Sequence, residues 1–106
     1  MKSSRYHILL ALTGGAIHGA EIRRRVEEES GGEVILYPAM LYSALDELAQ
    51  ADWIAEVETP GASAEQVRWR FYALTAEGRG ALLAETKRLE QVVGRARAAL
   101  GSVQRA

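Results

Sequence analysis

The carboxy-terminal stretch constrains everything before it. A single helix can run from Ala76 to about Val103, with Thr75 as a good N-cap and Glu77 near its positive end. At 1.5 Å per residue that helix is on the order of 40 Å long, more than a domain of this size is wide. Leu82, Thr86, Leu89, Val93, Ala96, Leu100 and Val103 recur at alternating spacings of four and three, a heptad seam interrupted at Thr86 and softened at Ala96. A projecting helix cannot bury such a seam against its own domain. A second copy of the chain can, so the spacing predicts a homodimer joined through Leu82, Leu89, Val93, Ala96 and Leu100. Gly94 and Gly101 lower the helix propensity toward the end.

Residues 1–75 then form the remaining domain and 76–106 the dimerisation helix. A short apolar helix is expected from about Ser4 to Thr13, stopped by Gly14-Gly15. A second, from about His18 to Glu29, buries Ile22 and Val26. Its Arg23-Arg24-Arg25 triplet resembles a phosphate clamp, but Glu21–Arg25, Arg23–Glu27, Arg24–Glu28 and Arg25–Glu29 are all spaced to pair one turn apart, which favours a self-neutralised solvated face. Ser30-Gly31-Gly32 ends that helix. After the apolar run Val34-Ile35-Leu36, Pro38 suits the first position of a third helix reaching about Ala51. Leu41, Ala44, Leu45 and Leu48 make its buried stripe, while Ala39, Tyr42, Ser43, Asp46 and Glu47 lie opposite. Beyond Trp53 the period becomes that of strands: Ile54–Glu58 and Val67–Leu74 flank a loop rich in small and polar residues, a hairpin longer than a tight turn. In its second strand Arg68, Arg70 and Tyr72 share one face, and Trp69 and Phe71 the other.

Composition excludes several classes. With 48% hydrophobic and 25% charged residues the chain reads as a soluble globular protein, and with no cysteine it has no disulfide scaffold, thiolate metal site or cysteine nucleophile. His7 and His18 lie in separate elements without motif spacing, so neither an enzyme nor a metal or other cofactor is expected. The net charge of −1 supplies no global field for nucleic acid. It is unevenly spread: residues 31–58 hold six acidic groups and no Lys or Arg, whereas 81–106 carry five basic groups against two acidic. The amino-terminal apolar run breaks at Thr13-Gly14-Gly15 without a good small-x-small site. It reads as a first core helix and not as a secretory signal, which places the protein in the cytoplasm and away from membranes.

Three short helices, a hairpin and a long helix are the element order of a winged helix-turn-helix: mainly α with a small β-hairpin, the third helix entering the major groove and the wing touching the backbone or minor groove. His18-Gly19-Ala20-Glu21-Ile22, Ser30-Gly31-Gly32-Glu33, Tyr37-Pro38-Ala39-Met40-Leu41-Tyr42-Ser43-Ala44-Leu45 and the run Arg68–Arg79 closely resemble the PadR family of bacterial transcriptional regulators, over about residues 6 to 80. The resemblance implies a dimeric repressor binding a double-stranded operator, of the compact type with one terminal helix. It places DNA contacts at Tyr37, Met40, Tyr42 and Ser43 on the third helix and at Arg68 and Arg70 on the wing. Members often respond to small aromatic or cationic effectors. Residues 76–106 contain no aromatic ring, so no effector is named, and Trp53 and Trp69 read as core residues at the hairpin base.

Three departures from the family pattern stand out. Tyr37 occupies the place of a capping serine, Ala20 that of a tyrosine, and Asp46 and Glu47 stand where basic residues are usual. Acidic groups there repel phosphate, or accept from cytosine amino groups. The alternative reading is accordingly a winged-helix dimer that binds protein, with weak or no DNA binding. The competing role for Arg68 and Arg70 is pairing with Glu56 or Glu58 across the hairpin.

Overall fold

The computed structural model describes residues 1–58 and 70–105, with side chains to residue 101. Four helices and three strands follow in the order α1 (Ser3–Ala11), β1 (Ile17–His18), α2 (Gly19–Glu29), α3 (Pro38–Gln50), β2 (Ile54–Val57), β3 (Phe71–Leu74) and α4 (Ala76–Arg105). The sheet is antiparallel with β3 in the middle: Ile17 faces Tyr72 on one side, and Ile54 faces Leu74 on the other. The sequence reading expected only the hairpin. β1 was missed because two residues are too few to show a period of two, and its partner lies more than fifty positions away. His18, expected as the start of the second helix, ends β1 and serves as the extended N-cap of α2. Trp69 and the strand positions at 67–69 lie outside the described residues.

One core joins all the elements. Ile8, Leu9 and Leu12 of α1, Ile22 and Val26 of α2, Leu36, the α3 stripe Leu41, Ala44, Leu45 and Leu48, and Ile54, Tyr72 and Leu82 are buried together. Trp53 packs half-buried against this cluster, as expected. Local chemistry sets the boundaries. After α2 the amides of Gly31 and Gly32 donate to the carbonyls of Glu28 and Glu27, at 3.1 and 2.8 Å, with φ of +65° and +82°. This is the two-bond left-handed termination that glycine permits at low cost. Pro38 opens α3 behind an extended Tyr37 that gives no side-chain cap.

The start of α4 is locked to the end of α3. Thr75 Oγ1 accepts the Gly78 amide at 3.0 Å, the N-cap bond foreseen for it, and donates to the Asp52 carbonyl at 2.5 Å. The Thr75 amide donates to the Trp53 carbonyl at 3.1 Å. A Cβ on Gly78 would stand 1.9 Å from that same Trp53 oxygen, so only glycine allows the helix to approach so closely.

From that anchor α4 packs along α1 and then leaves the domain. Its 30 residues span about 45 Å. The radius of gyration is 16.6 Å, against about 13 Å for a compact chain of this length. All positions from 90 to 100 are exposed.

Candidate nucleic-acid interface

α3 is amphipathic, and its two sides have different tasks. Leu41, Ala44, Leu45 and Leu48 hold it on the core. Ala39, Met40, Tyr42, Ser43, Asp46 and Glu47 are exposed, as is Tyr37 at the N-cap. Tyr37 is 60% exposed, Met40 51% and Tyr42 48%, high values for side chains of this polarity. Tyr42 leans toward the start of α2: a Cβ on Gly19 would lie 3.2 Å from its hydroxyl. Gly19 thus leaves room for a ring that α3 presents at its second turn.

The wing contributes Arg70 to the same neighbourhood. Tyr72, two residues on and on the same side of the strand, is buried, so the side of β3 that carries Arg70 faces the core and α3. The Tyr72 hydroxyl first, then Glu56 and, further away, Asp46 hold the Arg70 guanidinium more firmly charged than usual. Burial is the main reason the Tyr72 phenol is pushed up. Arg70 and Glu56 stand 3.9 Å apart with both side chains exposed, a loose pair at the outer limit of an ion contact. The cross-hairpin pairing weighed for Arg70 is therefore present, and it leaves the cation accessible. Arg68 lies outside the described residues.

The acidic middle of the chain receives cations from elsewhere. Arg5 of α1 donates to Glu47 through Nε at 3.2 Å and Nη2 at 2.5 Å, and holds that carboxyl below its usual range. Of the two acids that crowd α3, Glu47 is thereby tied to α1, and Asp46 remains near Arg70.

The arginine triplet of α2 separates into two kinds. Arg24 pairs with Glu21 and Glu28, and Arg25 with Glu21, whose carboxyl Arg24 and then Arg25 hold down at about 2. The expected Arg23–Glu27 and Arg25–Glu29 pairs do not form. Among the described residues Arg23 has no acidic partner, and it is exposed one turn beyond Gly19. Glu21, three residues before Arg24 and four before Arg25, draws those two into one network toward the first turn, and Arg23 is left outside it.

The dimerisation residues expected on α4 fall into two groups. Leu82 is 8% exposed and belongs to the domain's own core, and Leu89 is half-buried. Thr86, the polar break in the seam, hydrogen-bonds Tyr6 of α1 through its hydroxyl at 2.8 Å. Beyond these, Val93 at 48% and Leu100 at 62% are exposed, together with Ala96 and the neighbouring Val92. Val103 lies beyond the described side chains. Among the described residues no group of His, Cys, Asp or Glu is placed to hold a metal ion, and no helix is long and apolar enough to cross a membrane.

Comparison with known proteins places this geometry. A PadR family transcription regulator from Clostridium difficile R20291 superposes with a TM-score of 0.73 at 23% identity, covering 89% of this chain and 97% of that one. RosR of H. salinarum gives a TM-score of 0.64 at 27% identity, covering 93% of this chain and 96% of that one. Bacillus subtilis PadR, solved in complex with operator DNA, gives 0.66 at 23% identity over 80% of this chain and 47% of that longer one. No curated protein sequence matches the chain. The model of the transcriptional regulator PadR-like family matches residues 8–84, from the second half of α1 to the first turns of α4. The chain belongs to the PadR-like family of transcriptional regulators, winged-helix DNA-binding proteins and not enzymes.

Proposed function

We propose that this protein is a homodimeric, operator-specific repressor acting in the cytoplasm, with α3 in the major groove and the wing on the adjacent backbone. The observation that carries the reading is the outer surface of α3. Tyr37, Met40, Tyr42 and Ser43 stand free of the core, and Arg70 is exposed on the wing within electrostatic reach of Asp46 on the same helix. The exposed start of α3, where backbone N–H groups lack helical partners, offers a phosphate contact at the groove edge. Arg23 on α2 and Arg70 on the wing are exposed cations on neighbouring elements. The exposed Val92, Val93, Ala96 and Leu100 support a second copy on the far half of α4, which would present two such surfaces to two half-sites. The Bacillus subtilis neighbour bound to operator DNA supports the same placement of the domain.

Titration of the purified protein with the duplex upstream of its own gene, against a random duplex and at rising salt, tests this reading. Selective binding with a steep salt slope is expected. Arg70→Ala should weaken binding to both duplexes alike and reduce the salt slope by about one. Equal binding to both duplexes by an intact dimer would instead favour the protein-binding alternative, which rests on the acidic residues 31–58.

A further inference from the structure

We propose that α3 selects thymine-rich half-sites, reading the C5-methyl groups in the major groove with the apolar atoms of Tyr37, Ala39, Met40 and Tyr42. The proposal rests on the operator-binding reading above and specifies what that surface recognises.

The chemistry of the exposed side chains carries it. Guanine is read in the major groove by a bidentate Arg or Lys, and adenine by a bidentate Asn or Gln. α3 contains neither Arg nor Lys, and its single amide, Gln50, is its last residue, about 18 Å along the axis from the tip. The N-cap and the first two turns instead expose a methyl, a thioether and two phenol rings around one serine hydroxyl. Ile35, immediately before the N-cap, is exposed as well. Apolar groups beside a base pair find one apolar partner in the groove, the thymine methyl.

Electrostatics points the same way. The helix tip has no cation of its own to hold it on the DNA by charge alone, and the exposed Arg23 and Arg70 lie on other elements. Discrimination at the tip must then come from shape and from removing apolar surface from water. Asp46, on the third turn of the outer face, is suited to the amino group of a cytosine further along the site.

The test uses the full chain and a duplex selected from a random library by that chain. Affinity is measured for the selected duplex and for the same duplex with deoxyuridine in place of each half-site thymine, which removes only the methyl. Binding should weaken about fourfold for each contacted thymine. In a Tyr37→Ala, Met40→Ala double variant, both positions being exposed, the loss should shrink. Equal affinity for the thymine and deoxyuridine duplexes overturns the proposal while leaving operator binding intact. So does a loss that persists undiminished in the double variant, since the methyl would then act through DNA shape. Failure to select any duplex over random sequence removes the operator reading itself, and this proposal with it.

Discussion

The two halves of α4 carry one continuous hydrophobic pattern and meet different fates. From Ala76 to about Leu89 the stripe is spent inside the domain: Leu82 is buried, Thr86 bonds to Tyr6, and Gly78 abuts the Trp53 carbonyl. From Glu90 to Leu100 the same stripe stands in solvent. A heptad spacing says that a face will be covered. It does not say whether the cover comes from the same chain or from another. The polar break at Thr86 is the local clue, since a hydroxyl bonded to a tyrosine of α1 suits a contact within the domain better than a coiled-coil seam.

Substitutions can separate the halves. The largest expected effect is Gly78→Ala, which forces a Cβ against a backbone oxygen at 1.9 Å and should cost about 3 kcal/mol in urea unfolding. An unchanged midpoint would show that the α4 anchor yields easily and the near half is less fixed than described. Tyr6→Phe removes the bond to Thr86 and should cost about 1 kcal/mol. A smaller, pH-dependent effect is expected at Glu85. The Arg88 guanidinium beside it holds its carboxyl at about 2, against an ordinary value of 4.5. A depressed folded value means that this stabilisation is present above about pH 4.5 and is lost as pH falls toward 2. Glu85→Gln should therefore flatten part of the acid limb of the stability curve, with further parts owed to Glu21, which is held at a similar value, and to Glu47, which Arg5 also holds down. The smallest effect on the domain belongs to the far half. Val93→Glu with Leu100→Glu should change domain stability by less than about 0.5 kcal/mol, yet halve the mass seen in sedimentation. A dimer that survives both charges would move the interface off this seam.

Much of the fold was legible because its signals are local. The α3 stripe of Leu41, Ala44, Leu45 and Leu48, proline at its first turn, the glycine pair after α2 and the Thr75 cap each lie within a few residues of what they determine. The exposed positions Ala39, Tyr42 and Ser43 followed from the same helical period, whereas Tyr37 and Met40 were named only through the family resemblance. Other features were hidden by distance or by competition. β1 pairs with a strand far along the chain, Leu82 turned inward although its spacing placed it with Val93 and Leu100, and Arg24 and Arg25 gathered around Glu21 while Arg23 stayed outside the network.

The sequence by itself determined which segments are helical, where they stop, which side of α3 is apolar and which family motifs the chain carries, because backbone sterics, capping and periodicity act over one or two turns. Only the tertiary structure decided that Arg5 answers Glu47 across 42 positions, that Arg70 stands beside Glu56 on the side of the wing facing α3, and that α4 gives its first turns to its own domain. Those outcomes depend on which surfaces meet once the core has closed, and no local spacing encodes the identity of a partner that distant in the chain.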